Sequence, residues 1–392
     1  MPATVRALAL AAVTTLSGLA LAIALPAPAA AQENPAAAQA AYADMSGEAL
    51  YRAACAACHG ADGTGASAAD VGFDIALPDF SECAFASREP DADWVAVGHE
   101  GGPTRGFDPM MPAFGDALTE AEIRRIVQYI RGFCGDADWP RGELNLPRAL
   151  VTEKAYPEDE AVYTVGVSVD DPQAVSHEFV YERRFGSRNQ VEVVVPFGFQ
   201  ERAVLAGDGT EISRDWVGGI EDIVIGLKRD VFHSFERRSI VSVAGEIKLP
   251  TGDEDDGFGT GTTVFESFLA YGQIFRNDVF LQAQGLVELP FDQDAADNEG
   301  ALRLVLGRTF REGRWGRAWS PMLEVLAGRE LEGGGSTDWD LVPQVQVTLN
   351  TRQHVMANAG VRIPLTDSDT RSTQLLVYVL WDWFDGGFFD GW

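Results

Sequence analysis

The stretch of sequence that decides most of the fold is Val279-Phe280-Leu281-Gln282-Ala283-Gln284-Gly285-Leu286-Val287-Glu288. Alternate positions from Val279 to Val287 are apolar or small, and the positions between them include Gln282 and Gln284. Successive side chains of a β-strand point to opposite faces, so this period of two predicts a strand with one apolar and one polar face. We find twelve such segments between about residue 160 and Phe384.

The connections between these segments alternate in length and in charge. If the first strand begins near Ala161, the odd-numbered loops carry a net charge of −16, and the even-numbered connections, which are mostly shorter, carry +4. The odd-numbered loops are residues 170–176, 200–216, 251–263, 290–299, 330–338 and 364–371. The even-numbered connections are residues 186–189, 229–238, 276–278, 311–316 and 350–353. Transmembrane barrels have long outer loops and short periplasmic turns, so this sorting predicts an antiparallel transmembrane β-barrel of about twelve strands.

Strand length and side-chain polarity agree with a barrel. A tilted strand crosses a bilayer with about 9 to 11 residues, close to the length of these segments. Polar residues such as Gln344, Gln346 and Asn358 fall opposite the apolar face, as they do in a water-filled lumen. Pro343 falls inside a strand without a backbone donor, so we expect it near the rim or at a bulge. The alternative is a soluble β-rich domain.

The N-terminal residues have the pattern of a targeting segment. Residues 1–31 carry Arg6 near the start, then an apolar stretch and small residues ending at Ala31, which predicts a cleaved secretory signal peptide. The alternative is a membrane anchor. Residues 32–44 form an Ala-rich leader. No later run of 18 apolar residues occurs, so we expect β-strands to make any membrane crossing by the mature chain.

The charge of the chain limits its partners. The 392 residues include 59 Asp and Glu against 30 Lys and Arg, a net charge of −29. Because binding to a nucleic-acid backbone requires cationic side chains, no nucleic-acid partner is expected. The acidic outer loops, especially residues 253–256, are candidates for attracting cations or Fe(II). Loop solvation and bridging of lipopolysaccharide by divalent cations are alternative roles for these loops.

The chemistry-bearing motif of the chain is Cys55-Ala56-Ala57-Cys58-His59. This spacing lets two thiols add to the two vinyl groups of a haem while the adjacent imidazole of His59 reaches the iron. The alternative is a redox pair of cysteines beside an incidental histidine. In the helical segment downstream, the candidates for a second axial ligand are His99, Met110 and Met111. Pro112 disfavours helix at Met111 and so keeps that thioether in a loop.

Residues 45–136 read as short helices joined by Gly, Pro and Asp loops, and residues 137–160 read as a linker. The clearest helix begins with the capping box Thr119-Glu120-Ala121-Glu122. One apolar face follows at helical spacing, formed by Ile123, Ile126, Val127 and Ile130.

These features resemble a class I c-type cytochrome. The similar elements are Cys55–Gly60, the turn Gly63-Thr64-Gly65, Pro78-Asp79-Phe80, the Met111-Pro112 loop and the closing helix. The resemblance implies an all-α domain with one covalent haem c, held by Cys55 and Cys58, with His59 as proximal ligand. It also implies that Met111 is the sixth ligand, with Met110 as the alternative. Cys83 and Cys134 are then candidates for a disulfide, the alternative being two free buried thiols.

Residues 161–392 resemble porin-like and transporter-like outer-membrane barrels, and the whole chain is similar to the cytochrome-porin fusions proposed for outer-membrane iron oxidation. It differs from those fusions in its full-length cytochrome domain and shorter barrel, and the terminal aromatic residue expected of a bacterial barrel is either Phe384 or Trp392. The resemblance implies an outer-membrane location, with the haem domain on the periplasmic side or in the lumen, and periplasmic electron carriers as partners. We therefore expect one-electron transfer at or across the outer membrane.

Two other functions are compatible with the sequence. One is a porin or solute transporter whose cytochrome serves as a redox or docking module. The other is a soluble periplasmic electron carrier with a β-rich partner-binding domain. We expect an electron-transfer protein rather than a catalyst with its own substrate, since no Ser/His/Asp set or nucleotide-binding glycine pattern stands in a persuasive context. The histidines of the β region, His177, His233 and His354, read as strand or turn residues.

Overall fold

The computed structural model describes residues 42–72, 74–207, 210–332 and 335–383. The predicted signal peptide, most of the leader and the terminal aromatic residues Phe384 and Trp392 lie outside this part of the chain. A helical domain comes first and a β-barrel second, in the order that the sequence predicts. None of the described helices is both long and apolar enough to cross a membrane.

Six α-helices are described in the helical domain. They are α1 (Gly47–Ala54), α2 (Ala56–His59), α3 (Ala68–Val71), α4 (Cys83–Ala86), α5 (Asp91–Glu100) and α6 (Glu120–Ile130). The predicted capping box of α6 is confirmed, because Glu122 N–H donates to Thr119 Oγ1 over 3.3 Å and Thr119 N–H donates to Glu122 Oε2 over 2.7 Å. The predicted apolar face of α6 is buried in the domain core.

Helices α1 and α6 cross where Gly47 permits close approach. A Cβ atom at Gly47 would lie 2.2 Å from the carbonyl oxygen of Arg125, so the backbones of the two helices are nearly in contact there. Around this crossing, Leu50 and Tyr51 of α1 pack against Ile126 and Ile130 of α6. The crossing fixes α1, and with it the motif that begins at its C-terminal end.

The second part of the chain is a closed antiparallel barrel. Its strands are β1 (Glu160–Ser168), β2 (Ala174–Phe185), β3 (Asn189–Leu205), β4 (Glu211–Ile220), β5 (Ile223–Ser234), β6 (Ser239–Leu249), β7 (Val264–Ile274), β8 (Val279–Pro290), β9 (Glu299–Arg308), β10 (Phe310–Arg311), β11 (Ala318–Glu330), β12 (Asp338–Thr348), β13 (Val355–Pro364) and β14 (Gln374–Asp382). Pairing of β1 with β14 closes the sheet. Two of the fourteen strands add no position around the barrel, because β4 shares one side of β3 with β5 and β10 is a short strand paired only with β11. The barrel therefore has twelve strand positions, as predicted.

Polar side chains line the inside of the barrel and apolar ones cover the outside. Gln282, Gln284 and Gln346 are nearly fully buried within the lumen, whereas the alternate residues on neighbouring strands are exposed. Leu302, Leu304 and Leu306 of β9 are 49–65% exposed. This arrangement is the reverse of a soluble sandwich, in which the apolar faces meet each other.

The connections differ from the prediction at two places. Residues 200–216, expected to be an outer loop, are mostly strand, because β3 extends to Leu205 and pairs with β4 beyond the level where it pairs with β5. Residues 229–238, expected to be a short connection, are also mostly strand, because β5 continues to Ser234. The other short connections agree with the prediction, for example residues 186–188 between β2 and β3, and lie at the same end of the barrel.

Pro343 is neither at the rim nor at a bulge, so that expectation is wrong. It lies in the middle of β12 and pairs with Leu323 of β11. On its other side, the ladder with β13 has pairs at Leu341–Ile363 and Gln344–Gly360 and no pair between them, and the register does not change. A local gap in one ladder therefore accommodates the missing backbone donor of Pro343.

Residues 142–159, read from composition as part of a linker, lie inside the barrel, and we call them the lumen segment. Its apolar residues Leu144, Leu146 and Tyr156 are buried against the barrel wall. Its backbone is held by lumen side chains: the Arg148 carbonyl accepts from Tyr378 Oη over 2.6 Å, and Thr152 N–H donates to Glu324 Oε1 over 2.9 Å. Lumen side chains thus satisfy the buried polar groups of an irregular backbone.

The disulfide between Cys83 and Cys134 gives the first testable prediction. The two residues are joined with Cα atoms 5.1 Å apart and a sequence separation of 51, which ties α4 to the chain just after α6. In the chain-entropy model, a loop of this size stabilises the folded domain by about 4 kcal/mol. We expect the double variant Cys83→Ser/Cys134→Ser to lose about this free energy of unfolding, measured by denaturant titration of the helical circular dichroism signal. The single variant Cys83→Ser should be at least equally destabilised; a loss below about 1 kcal/mol in both would contradict the prediction.

Candidate haem-binding site

The motif Cys55–His59 lies on a tight helical turn at the end of α1. Ser46 caps α1 by accepting from Ala49 N–H over 3.2 Å, and the His59 amide donates to the Cys55 carbonyl over 2.9 Å. Residues three and four apart on a helix share one face, so Cys55, Cys58 and His59 all present their side chains to the same side. Both thiols are free and half-buried. Burial, followed by the neighbouring Cys58, raises the pKa of the Cys55 thiol to about 11.

The imidazole of His59 lies in an aromatic environment. Its ring stacks on Phe80 with centroids 5.0 Å apart, and Phe80 contacts Phe85 and Trp94. Burial lowers the pKa of His59, which favours the neutral imidazole that ligates iron. In the described part of the chain, His59 Nδ1 is buried without a hydrogen-bond partner. Two free thiols and an unsatisfied imidazole beside aromatic rings are the donor set that a haem requires.

Tyr51 fixes the backbone that follows His59. Its ring is fully buried, with centroids 5.4 Å from Tyr129 and 5.3 Å from Phe133, and its hydroxyl donates to the Gly60 carbonyl over 2.7 Å. Burial raises the pKa of Tyr51, so the hydroxyl remains a donor at neutral pH. The expected contact of Tyr51 and Tyr129 between the first and last helices is therefore present, and it also holds the motif.

The structure distinguishes the two methionines of the downstream loop. Met111 is half-buried and its carbonyl accepts from Gly102 N–H over 3.0 Å, whereas Met110 is 53% exposed. A Cβ atom at Gly102 would lie 2.3 Å from the Asp108 carbonyl oxygen, so only glycine permits this close fold of the loop. The third candidate ligand, His99, directs Nδ1 to Glu100 over 2.8 Å. Met111 is thus the less exposed of the two methionines.

The helical domain is docked on the short-turn end of the barrel. Arg105 is buried, binds Asp93 and donates to the Trp315 carbonyl over 2.8 Å. Trp315 itself packs against the core of the helical domain, 6.2 Å from the His99 ring between centroids. His354, which precedes β13, contacts Glu89 over 2.7 Å.

Sequence reasoning did not identify this interface. His233 and His354 are a strand residue and a turn residue, as expected, but both also join the two domains, since His233 Nε2 bonds the Ala137 carbonyl over 2.9 Å. The one available signal was Trp315, a large aromatic residue in a short polar turn.

The lumen contains a cavity of about 330 Å³ beside the lumen segment. Its lining is rich in carboxylates, which include Glu153 of the lumen segment and Glu192, Glu246 and Glu266 of the barrel wall. Cationic side chains reach the same cavity from Arg303 and Arg362. We call this space the vestibule.

Comparison with known proteins gives a family for the helical domain. Residues 43–130 match the family model of the cytochrome c oxidase, cbb3-type, subunit III. No curated protein matches the chain.

Several solved outer-membrane barrel structures are similar to part of this chain. An outer membrane channel from Pseudomonas putida F1 has 12% identity, covers 59% of this chain and 99% of its own, and gives a TM-score of 0.43. The NanC porin has 5% identity, with coverages of 57% and 98% and a TM-score of 0.40. The KdgM porin has 10% identity, with coverages of 57% and 99% and a TM-score of 0.38. These TM-scores are low, and the barrel of this chain is defined by its own strand pairing.

The contacts of Met111 and Met110 give the second prediction. We expect Met111→Ala to open the sixth coordination position and Met110→Ala to leave it closed, because Met111 is the less exposed of the two and precedes Pro112 in the loop. The measurement is the Met-sulfur charge-transfer band of the ferric protein, which should disappear only in the Met111 variant. If only Met110→Ala loses the band, Met110 is the ligand and the prediction is wrong. If only His99→Ala loses it, neither methionine is the ligand.

Proposed function

We propose that this chain, which joins a c-type cytochrome domain to a closed twelve-stranded β-barrel, carries out one-electron transfer at or across the outer membrane. The cytochrome domain implies a haem. We propose one covalent haem c, attached through Cys55 and Cys58, with His59 and Met111 as axial ligands. A haem with both axial positions filled by His and Met supplies electron transfer at a raised potential rather than oxygen activation.

The observation that carries the proposal is the docking of the cytochrome domain across the mouth of the barrel. Arg105 and Glu89 of the domain bind Trp315 and His354 of the short turns, and Trp315 enters the domain core. If the short turns are periplasmic, as in transmembrane barrels, the haem site faces the periplasm and its carriers.

The free face of the domain supports a cationic carrier as partner. Between Arg52 and Arg88 the chain has five acidic residues and no Lys or Arg, and this stretch contains the haem motif. The hydrogen bonds and ion pairs that dock the domain come from residues 88–141 instead. An acidic surface around the motif would steer a basic electron carrier toward the haem edge.

The outward surface of the barrel supports its placement in a membrane. Leu375, Val377 and Val379 of β14 and Leu323 of β11 are 42–47% exposed, and they belong to an apolar band that runs around the barrel. So large a contiguous apolar surface would be unstable in water. This favours an outer-membrane protein over the soluble periplasmic carrier.

The third prediction tests this placement. We expect the protein to partition with the outer membrane, to require detergent for extraction and to migrate differently on gels before and after boiling, because a closed barrel resists unfolding by detergent until heated. Cys55→Ala/Cys58→Ala is the matched control: it should lose covalent haem staining and keep the heat-dependent migration. Recovery of the wild-type protein in the soluble periplasm without detergent would instead support the soluble carrier.

The lumen segment weighs against the porin as the main function. Its residues Arg148 and Thr152 hydrogen-bond to Tyr378 of β14 and Glu324 of β11, and Leu146 packs against Phe280 of β8 on another part of the wall. A free solute path would require these contacts to break. The vestibule remains accessible to small cations, so the barrel can admit a small electron donor without letting it cross.

The fourth prediction separates electron transfer from solute passage. In liposomes with the cytochrome domain inside, external hexaammineruthenium(II), a membrane-impermeant cationic reductant, should reduce the haem, seen as growth of the reduced α band. An uncharged sugar should cause little swelling, because the lumen segment occupies the pore.

Two controls make this test specific. Replacement of residues 150–153 by four glycines should increase sugar permeation, since it removes the four side chains, including the Thr152 hydroxyl that donates to Glu324, and makes the backbone of the segment more flexible. The haem-free cysteine variant should show no α band. Rapid swelling of the wild type with an oxidised haem would support the porin. A haem that is reduced in detergent but not in sealed liposomes would limit electron transfer to the domain's own side of the membrane.

A further inference from the structure

An in-register row of acidic residues winds around the inside of the barrel. Each member is the direct cross-strand partner of the next, apart from Gly226, which stands between Glu192 and Glu246. We call this row the carboxylate ladder, and its members in spatial order are Asp382, Glu160, Glu182, Glu192, Glu246, Glu266, Glu288, Glu299 and Glu330.

The carboxylate ladder climbs from one end of the barrel to the other. Asp382 and Glu160 stand at the strand ends next to the cytochrome domain, whereas Glu299 and Glu330 stand at strand ends beside the long loops. Strands of a barrel tilt relative to its axis, so paired residues lie at successively different heights. The ladder therefore connects the acidic loops with the interior of the lumen.

The lower part of the carboxylate ladder is neutralised by the lumen segment. Arg148 binds Glu160 over 2.9 Å and Glu182 over 3.1 Å, and Lys154 binds Glu160 over 3.0 Å. Higher up, Lys248 binds Glu288 over 3.1 Å.

The middle members lack such partners. Among the described residues, no ion pair involves Glu192, Glu246 or Glu266. Buried carboxylates without a counter-charge are costly, so this part of the lumen needs a cation or protons.

Glu246 is the member whose surroundings point to a ligand. Its side chain is about nine-tenths buried, lines the vestibule and has no hydrogen-bond or ion-pair partner in the described structure. It folds over Gly226, where a Cβ atom would lie 2.9 Å from Glu246 Cγ. Because Gly226 has no side chain, the Glu246 carboxyl group occupies the space beside it, next to Glu192 of β3.

Glu153 of the lumen segment meets the same group of carboxylates. One of its oxygens accepts from Arg148 over 3.0 Å, and the other, Oε2, is buried without a partner among the described residues. Glu153, Glu182 and Glu192 each have a carboxylate oxygen within 4.8 Å of the other two. Several oxygen donors at this spacing can converge on one hard divalent cation.

We propose that Glu153, Glu182 and Glu192 bind a divalent metal cation at the inner end of the vestibule, and that Glu246, which lines the same cavity, adds a further negative charge beside the ion. The hydrated ion enters from the long-loop end, where the acidic loops raise the local cation concentration. Its charge replaces the counter-charge that Arg148, Lys154 and Lys248 supply elsewhere along the carboxylate ladder. The site would exist whether or not the haem domain exchanges electrons across the membrane.

Manganese binding to the full-length haem-loaded protein in detergent micelles tests the site. The wild type should bind one Mn²⁺ per chain in the presence of physiological salt, as measured from the free-ion electron paramagnetic resonance signal. Glu246→Gln and Glu153→Gln should each weaken binding at least tenfold, because each removes one negative charge from the surroundings of the ion and preserves side-chain size. Asp255→Asn, in an acidic loop outside the site, is the matched control and should bind as tightly as the wild type.

The outcomes distinguish the site from general acidity. Equal Mn²⁺ affinity in the wild type and both glutamine variants would overturn the proposal, as would a loss of affinity in Asp255→Asn as large as in Glu246→Gln. Heat-dependent migration and haem staining verify that each variant is folded. If Glu246→Gln fails this check, Glu153→Gln decides, because Glu153 belongs to the lumen segment and not to a strand.

Discussion

Arg148 holds the lumen segment in the barrel, and both parts of the molecule depend on it. Its guanidinium binds Glu153, Glu160 and Glu182, while its carbonyl accepts from Tyr378 and Asn358 on the adjoining strands β14 and β13. A single buried residue thus links strands that are distant in sequence to the chain that leads from the cytochrome domain. Breaking it would leave buried carboxylates unpaired, which costs more than the loss of an exposed ion pair.

This anchoring explains why the cytochrome domain has a defined position. A flexible linker would allow the domain to move away from the barrel, but the chain between them is fixed inside the lumen immediately before β1. The contacts at Trp315, Glu89 and Asp138 then orient the domain on the short turns. The lumen segment therefore has two effects. It fixes the position of the cytochrome domain, and it obstructs the pore.

Charge is distributed unevenly through the lumen. Cationic side chains of the lumen segment compensate the end near the cytochrome domain, and the vestibule retains Glu192, Glu246 and Glu266 without ion pairs in the described structure. Low dielectric and partial burial strengthen the field of such groups on any ion that enters.

Local sequence determined the features that depend on neighbouring residues. The Cys55–His59 spacing, the capping box at Thr119 and the alternation along β8 each follow from the geometry of one helix or one strand. Only the tertiary structure decided the rest. Residues 142–159 have the composition of a linker, and nothing local indicates that Arg148 binds Glu182. The aromatic ring of Trp315 in a polar turn indicates a contact, but the sequence does not show what it contacts. Likewise, the carboxylate ladder exists only because strand register aligns single glutamates that lie tens of residues apart, and register is set by closure of the whole barrel.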